Sequence, residues 1–468
     1  MTSLRRVVAN LGFFLQITGL LLILPIAIGL HNGEIEAVSS LVATCFISFA
    51  AGFLFNSFCE RKELDDKTSL WLMLATFILI PLLLTLPFIW NNVFNSTNPF
   101  DLFTNAYFET ISGFTTTGFS FVINPSVLPS SLLFYRSLVQ FIGGIGFIYI
   151  LAAFLYPNES LRDYAQTFGV EDLGTNLKRV FISIMLIYTV FVAIFTGIFY
   201  IVYSPNSLIV ASCAAIDVLT GGYQPNVAAG IGVFQVSILV LMLLGSFNFQ
   251  FHYNLFRLNI RELITPEIKF YLELLIVSTI LISILAWMNP FDSFFNVVSM
   301  ASSTGIEFNI SSSNAPVKVL FILIGLVGGC AFSMAGGIRI QRLKTVVNAV
   351  WRKGDEPSRD ELKAVLISIS GFVITLVILS LVFSGIGVSM IDSFFEIGSA
   401  LTTNGISMGA TNPLMPLGYK WLVILAMLIG RIEIVTIFAA IAGLPIFRSL
   451  RDWGLAPKEK IRWKRRFR

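Results

Sequence analysis

The chain has 468 residues, of which 56% are apolar and only 12% are charged, whereas soluble domains have about 45–50% apolar and about 25% charged residues. This composition excludes a water-soluble protein. Because a membrane-spanning helix needs about 20 apolar residues, the length allows about ten spans and leaves little room for an appended enzyme domain. The formal net charge of +4 is too small to indicate a nucleic-acid partner.

Apolar runs of spanning length follow one another along the whole chain. The first comes after Arg5 and Arg6, and because no small-residue cleavage motif follows it, we expect a retained helix and not a signal peptide. The predicted spans are 7–30, 37–58, 69–90, 131–155, 180–203, 230–252, 270–288, 316–338, 364–384 and 417–447.

Basic residues predict the orientation of these spans. With a cytoplasmic N-terminus, 27 of the 31 Lys and Arg residues fall on cytoplasmic segments, as the positive-inside rule requires. Those segments are 1–6, 59–68, 156–179, 253–269, 339–363 and 448–468. The outer segments form a modestly acidic mouth that would attract cations; they carry His31, Glu34, Glu36, Asp101, Asp292, Glu307 and Asp392, together with Lys318 and Lys420.

Four outer connections share one pattern. They are NAYFETISGFTTTGFS at 105–120, IVASCAAIDVLTGGYQ at 209–224, DSFFNVVSMASSTGIE at 292–307 and DSFFEIGSALTTNGIS at 392–407. Each has about ten residues that can form a short helix, then a turn that ends on glycine, and each lies between two spans. From about residue 69 to 447 the chain therefore consists of four copies of span, short helix, turn and span.

Such segments can line an ion path. Irregular backbone is tolerated at membrane depth only where protein buries it or where it lines water, and carbonyl and hydroxyl oxygens can replace the hydration shell of a cation. The C-terminal ends of four short helices would add partial negative charge at the axis. The predicted filter residues are Thr115, Thr116, Thr117, Gly118, Leu219, Thr220, Gly221, Gly222, Ser302, Ser303, Thr304, Gly305, Thr402, Thr403, Asn404 and Gly405.

Other interpretations compete with an ion filter. A single Thr-Gly turn is more often an ordinary re-entrant turn, but four in register favour a filter. A secondary transporter that couples sodium or proton entry to solute or potassium uptake also uses broken helices and repeats. An intramembrane enzyme has no support from HExxH, GxSxG or P-loop motifs, and His252 is interpreted as an interfacial residue. The cysteines lack paired spacing and are interpreted as packing residues: Cys45, Cys59, Cys213 and Cys330.

Buried charges accompany the four segments. Arg136 lies near the outer end of its span, where an ion pair is the favoured interpretation, and Glu109 and Glu396 are candidate partners because both stand nine residues before a filter glycine. Arg431 lies near the middle of the last span, where an isolated charge is costly. It can pair with Glu433 or with exposed carbonyls, or it can act as an electrostatic barrier beside the path.

These segments resemble the Trk/Ktr/HKT superfamily of potassium transporters, and more narrowly its TrkH-type subunits. The resemblance covers nearly the whole chain and includes RSLVQFIGGIGF at 136–147, GGCAFSMAGGIRIQRLK at 328–344 and GRIEIVTIF at 430–438. Two extra N-terminal helices favour the Trk-like branch. The second segment departs from the pattern because it lacks the Thr-rich run and has two consecutive glycines, and the fourth has Asn404 before its glycine.

The resemblance implies potassium uptake across the cytoplasmic membrane by a homodimer with one pore per subunit, with both termini cytoplasmic. It also implies a cytosolic TrkA-type nucleotide-binding regulatory subunit, and no cofactor in this chain besides the transported potassium at the filter residues. Since each wall has a short glycine signature, we expect some sodium leakage. The small residues of the eighth span should unwind it, and the resemblance assigns a gate to Gly328, Gly329, Cys330, Ala331, Phe332, Ser333, Met334, Ala335, Gly336, Gly337 and Arg431.

The expected fold is an all-α polytopic membrane protein with four pseudo-repeats around one central ion pore and two extra N-terminal transmembrane helices. The expected units are 1–68 (two N-terminal helices), 69–156 (repeat 1), 157–252 (repeat 2), 253–350 (repeat 3, with the intramembrane gating loop), 351–447 (repeat 4) and 448–468 (basic cytoplasmic tail).

Overall fold

The computed structural model describes residues 2–58, 66–150, 177–203, 207–223, 232–306, 315–351 and 359–432. Within these ranges the regular structure is helical and no β-strand occurs, which confirms the all-α prediction. The helices are α1 Thr2–Leu21, α2 Ile23–Asn32, α3 Ile35–Phe58, α4 Asp66–Leu84, α5 Leu86–Trp90, α6 Pro99–Phe114, α7 Ser130–Ile150, α8 Leu177–Tyr203, α9 Leu208–Thr220, α10 Val233–Ser246, α11 Phe249–Phe256, α12 Pro266–Ala286, α13 Pro290–Ala301, α14 Ala315–Val327, α15 Ile340–Trp351, α16 Arg359–Phe383, α17 Met390–Leu401 and α18 Leu417–Ile432.

Seven helical stretches of the described chain are long and apolar enough to cross a membrane, or eight if one bent pair counts as a span. The bent pair is α10 and α11, which meet at 110° within the predicted span 230–252. The bend occurs at Phe247 and Asn248, where the Asn248 side chain caps α11 by accepting a hydrogen bond from the amide of Phe251 at 3.0 Å. The predicted span 230–252 is therefore bent at this point, and its second helix continues to Phe256.

The eighth predicted span is also interrupted. Its helix, α14, ends at Val327, and the chain continues without regular helix until α15 begins at Ile340. Gly328 and Gly337 have positive φ values of 68° and 83°, which an L side chain rarely adopts. The small residues thus unwind the helix, as the sequence indicated.

Four short helices, α6, α9, α13 and α17, occupy the four outer connections. Each begins at an Asn or Ser whose side chain accepts a hydrogen bond from a backbone amide of the first turn, so the sequence specifies where each helix starts. The caps are Asn98, Ser207, Asn289 and Ser389. Each short helix packs against the long helix that follows it in the described chain, and α18 also contacts α6. The N-terminal pair α1 and α3 pack mainly against each other.

Candidate functional site: four glycine turns around one axis

The site is formed by the turns that follow the four short helices. We name them turn 1 (115–118), turn 2 (219–222), turn 3 (302–305) and turn 4 (402–405). All of their side chains are at most 4% exposed. Turns 1, 3 and 4 share one backbone conformation, in which the residue two before the glycine and the glycine itself both have positive φ. The φ values are 56° and 88° at Thr116 and Gly118, 56° and 75° at Ser303 and Gly305, and 54° and 71° at Thr403 and Gly405.

The four turns contact one another in a closed ring. In each turn, one glycine lies so close to the backbone of the next turn that a Cβ atom at its position would collide with that backbone. Only glycine fits at these four positions. The collisions would be between Gly118 and Gly222, Gly221 and Ser303, Gly305 and Asn404, and Gly405 and Thr117. The amide of Gly222 also donates to the carbonyl of Thr304 at 3.2 Å. The structure thus brings together all four predicted segments.

Glycines on the following long helices allow the short helices to reach this ring. A Cβ atom at Gly143, Gly245 or Gly430 would collide with the last carbonyl groups of α6, α9 and α17, respectively. The C-terminal ends of these helices therefore sit directly against the long helices and point their partial negative charge inward. These three glycines were not predicted as part of the site, although a glycine recurs at a similar distance after each filter glycine.

A buried ion pair supports turn 1 from behind. Arg136 Nε on α7 lies 2.7 Å from Glu109 Oε1 on α6, and both residues are at most 4% exposed. Glu109 also accepts hydrogen bonds from Ser120 Oγ at 3.0 Å and from the amide of Phe121 at 2.8 Å. The guanidinium group lies 3.4 Å from the ring centroid of Tyr223, just after turn 2. The predicted pairing of Arg136 with Glu109 is present.

Glu396, the other candidate partner, does not contact Arg136. Its carboxylate accepts hydrogen bonds from the outer segment after turn 4, including Ser407 Oγ and the amide of Met408, both at 2.7 Å, and Thr411 Oγ1 at 2.5 Å. The two glutamates thus occupy equivalent positions, and each accepts hydrogen bonds from the segment that follows its own turn. Of these two glutamates, Glu109 is the one with an arginine beside it, which α7 supplies.

The irregular chain between α14 and α15, which we call the inner loop (328–339), lies directly beneath turns 3 and 4. The amide of Gly336 donates to Ser303 Oγ at 2.9 Å. A Cβ atom at Gly336 would lie 2.5 Å from the carbonyl oxygen of Thr402. Gly336, one of the predicted gate residues, therefore contacts the filter turns directly.

Backbone hydrogen bonds hold the inner loop against the bend between α10 and α11. The amide of Cys330 donates to the carbonyl of Ser246 at 3.0 Å, and the amide of Met334 donates to the carbonyl of Gly245 at 3.1 Å. A carboxylate supplies a further anchor, since the amide of Ala331 donates to Glu267 Oε1 at 2.7 Å. The C-terminal end of α10 thus supplies backbone acceptors for two amides of the inner loop, and the amide of Phe249 at the start of α11 donates to the carbonyl of Phe332 in return.

Arg431 on α18 lies beside the inner loop and is 1% exposed. Its Nη1 donates to the carbonyl of Met334 at 2.9 Å, and its guanidinium carbon lies 4.2 Å from the ring centroid of Phe147. Nε and Nη2 have no hydrogen-bond partner among the described residues. The alternative partner named from the sequence, Glu433, lies outside the described residues.

Two residues assigned to the cytoplasmic surface are buried. Arg339 is 6% exposed, and its Nη1 donates to the carbonyl of Cys330 at 3.3 Å, so it belongs to the inner loop. His252 is fully buried, with its ring 5.1 Å from that of Phe191. The interfacial interpretation of His252 is wrong, because the 110° bend folds α11 back against α8.

At the outer mouth, Lys318 Nζ lies 2.9 Å from Asp392 Oδ1. Asp392 also accepts a hydrogen bond from Ser389 Oγ at 2.7 Å. The hydrogen bonds from Ser389 and Lys318 lower the pKa of Asp392 below its ordinary value. One of the predicted outer carboxylates is thus already neutralised by a lysine from the same side.

Comparison with known proteins identifies similar chains. The family model described as "Cation transport protein" (TrkH) matches residues 274–445. An uncharacterised cation transporter of Methanocaldococcus jannaschii is 26% identical over 94% of this chain and 96% of its own. The Trk system potassium uptake protein TrkH of Salmonella typhimurium is 26% identical over 84% of this chain and 89% of its own. The crystal structure of the potassium transporter TrkH from Vibrio parahaemolyticus covers 95% of this chain and 99% of its own with a TM-score of 0.78 at 20% identity, which shows the same fold.

Proposed function

We propose that this chain is a TrkH-type member of the Trk/Ktr/HKT superfamily and that it takes up potassium across the cell membrane through the ring of turns 1 to 4. The observation that carries the proposal is the closed ring of glycine turns, in which each turn contacts the next through backbone atoms. A ring of carbonyl oxygens at close quarters can replace the hydration shell of a potassium ion. The relatives named as potassium uptake proteins support the choice of ion.

The side chains of the ring suit a cation. Thr116 Oγ1 and Thr403 Oγ1 are buried and have no hydrogen-bond partner among the described residues, so their oxygen atoms are available to an ion. The inward-pointing C-terminal ends of the short helices add negative potential at the same place. Inward movement of potassium would be driven by the membrane potential, worth about 2.3 kcal/mol per charge for each 100 mV. The chain needs no cofactor for this function.

The short glycine signature of each turn sets our expectation for selectivity. One aligned filter glycine per turn, with a second glycine in turn 2 alone among these turns, orders fewer carbonyl layers than the longer signature of dedicated potassium channels. We expect preference for potassium together with measurable sodium leakage. A potassium-to-sodium permeability ratio as high as that of dedicated potassium channels would contradict this part of the proposal.

The inner loop and Arg431 form the gate in this proposal. The loop obstructs the path beneath turns 3 and 4, and the guanidinium group beside it opposes free cation flow. A cytosolic TrkA-type nucleotide-binding subunit would move the loop from the cytoplasmic side. We further propose that two copies of the chain form a homodimer in the cytoplasmic membrane, each with its own pore and with both termini in the cytoplasm.

The test is rubidium uptake into potassium-starved cells that lack their own uptake systems, with wild type compared with Gly118→Ser. We expect wild type to restore uptake. Gly118→Ser should abolish it, because the new side chain would collide with Gly222. Gly33→Ser is the matched control: Gly33 has a similarly positive φ of 72°, but nothing lies within 4 Å of its Cβ position. Membrane abundance is measured for each variant, and failure of wild type to restore uptake would overturn the proposal.

A further inference from the structure

Turn 2 lacks a hydrogen bond between two side chains that the other three turns share. In turns 1, 3 and 4, the residues three and one before the glycine are joined through their side chains. The bonds are Thr115 Oγ1 to Thr117 Oγ1 at 2.7 Å, Ser302 Oγ to Thr304 Oγ1 at 2.8 Å and Asn404 Nδ2 to Thr402 Oγ1 at 2.8 Å. Leu219 and Gly221 hold these positions in turn 2, so that bond cannot form there.

The backbone of turn 2 differs as well. Thr220 is still the last residue of α9, and the positive φ values fall on two consecutive glycines, 75° at Gly221 and 139° at Gly222. Two adjacent glycines have more conformational freedom than the polar residue and glycine of the other turns. Turn 2 therefore has the least local restraint of the four.

Gln140 on α7 supplies restraint from outside the turn. Its side-chain amide nitrogen donates to Thr220 Oγ1 at 2.5 Å and to the carbonyl of Asp217 at 3.3 Å. Its amide oxygen accepts from the amide of Tyr223 at 3.1 Å. The side chain thus binds the residues on both sides of the two glycines, and it is fully buried.

The same side chain limits how far Gly222 can move. The Cβ position of Gly222 lies 2.7 Å from Gln140 Oε1, so the amide is packed directly behind this glycine. On its other side, the backbone amide of Gly222 donates a hydrogen bond to the carbonyl of Thr304 in turn 3. Gln140 and turn 3 thus hold turn 2 from opposite sides.

We propose that Gln140 is a positioning residue that sets the ion preference of the filter by taking the place of the side-chain bond missing from turn 2. It acts through turn 2 and does not touch the ion. This inference rests on the proposed potassium uptake. A wall that is free to move inward can approach the smaller sodium ion, whereas a wall held at fixed spacing favours the larger potassium ion.

The experiment measures the ratio of rubidium to sodium uptake in proteoliposomes containing the full chain. Gln140→Met removes the three hydrogen bonds at nearly the same volume, and we expect the ratio to fall roughly fivefold, the size expected for about one lost buried hydrogen bond. Thr115→Val, which removes the equivalent bond in turn 1, should lower the same ratio. Val139→Ala changes a buried neighbour on α7 that belongs to the same hydrophobic cluster as Leu11 of α1 and Phe77 of α4, and it should keep the wild-type ratio.

A second variant guards against misfolding. Gln140→Glu keeps the size and the acceptor for Tyr223 but loses both donated bonds, so its ratio should also fall. An unchanged ratio in either variant, while wild type takes up rubidium, would overturn the role of Gln140 and leave the proposed function intact. Loss of both variants from the membrane would indicate a folding role alone and would also overturn it. If wild type itself takes up no rubidium, the proposed function has failed.

Discussion

The two buried glutamates behind turns 1 and 4, Glu109 and Glu396, are each satisfied by specific neighbours. The pairing of Arg136 with Glu109 could be predicted because the repeat places the glutamate beside its own turn and α7 carries an arginine nearby. The partners of Glu396 could not be predicted, since they are mainly backbone amides and hydroxyls that become available only when the following segment folds back. Gln140 was missed for a similar reason, because its partners belong to another repeat.

Removal of Glu109 should destabilise the protein strongly. In Glu109→Ala, the guanidinium group of Arg136 stays buried without its carboxylate, and breaking a buried pair in this way costs about 3–5 kcal/mol. We expect a clear fall in the thermal unfolding temperature of the purified protein. The double variant Glu109→Ala with Arg136→Met should recover part of that loss, since the buried arginine charge is removed together with its carboxylate partner. Equal stabilities of Glu109→Ala and the double variant would contradict a net ion-pair role.

Arg431 is expected to limit ion flow through its charge. Arg431→Ala should raise rubidium uptake about tenfold, because a change of about 1.4 kcal/mol in an electrostatic barrier suffices for that factor. Arg431→Lys keeps the positive charge and should stay close to wild type. If Arg431→Ala is folded and transports at the wild-type rate, the hydrogen bond to Met334 is its only role.

Helices are broken in this protein where short polar or small residues interrupt an apolar run. The break after Val327 could be predicted, since the following segment contains glycines at 328, 329, 336 and 337. The bend at Phe247 and Asn248 could not, because one asparagine within an apolar window is an ordinary feature of a span. The two breaks contact each other, and each supplies hydrogen-bond partners to the other. The conformation of each break therefore depends on the other, even though the position of the first can be predicted from its glycines.

Glu267 is expected to hold the inner loop closed. Besides its bond to Ala331, its carboxylate accepts from Asn248 Nδ2 at 3.1 Å, so it joins the loop to the start of α11. Glu267→Ala should loosen the loop and raise rubidium uptake several-fold in the absence of a regulatory subunit, with the rubidium-to-sodium ratio unchanged. Glu273→Ala, at an exposed position on the same helix, is the control. Wild-type uptake by Glu267→Ala would contradict a latch role.

The ion pair between Lys318 and Asp392 connects α14 to the start of α17 at the outer mouth. Because the pKa of Asp392 is lowered by folding, its contribution is present above the ordinary value of 3.8 and is lost as the pH falls through the lowered value. Asp392→Asn should therefore cost at most about 1 kcal/mol at neutral pH, since the pair is partly exposed. Thermal unfolding should show the same difference at about pH 7 and at about pH 5. A difference that changes between these two conditions would contradict the lowered pKa.

Across the whole molecule, some charged residues that the sequence assigned to the outer mouth or to the cytoplasmic surface have other positions and partners. Glu34 does not face the mouth freely, because its carboxylate accepts hydrogen bonds from the amides of Ser130 at 2.8 Å and Ser131 at 2.9 Å and so caps α7. Arg339 lies in the interior near Arg431 and not on the cytoplasmic surface. The positive-inside rule predicts the orientation of the chain from the composition of whole loops. The position of a single charged residue near the end of a loop depends on the tertiary structure.

The predicted orientation can be tested on two exposed positions at opposite ends of the molecule. In a chain whose four native cysteines are replaced, His31→Cys should react with a membrane-impermeant maleimide on intact cells. Leu258→Cys, which is 81% exposed in the wild type beyond the end of α11, should react only after the membrane is permeabilised. The cysteine-free chain is the control for background labelling. The opposite labelling pattern would place the N-terminus outside the cell. The mouth of the filter would then open to the cytoplasm, which would contradict the proposed route of potassium uptake.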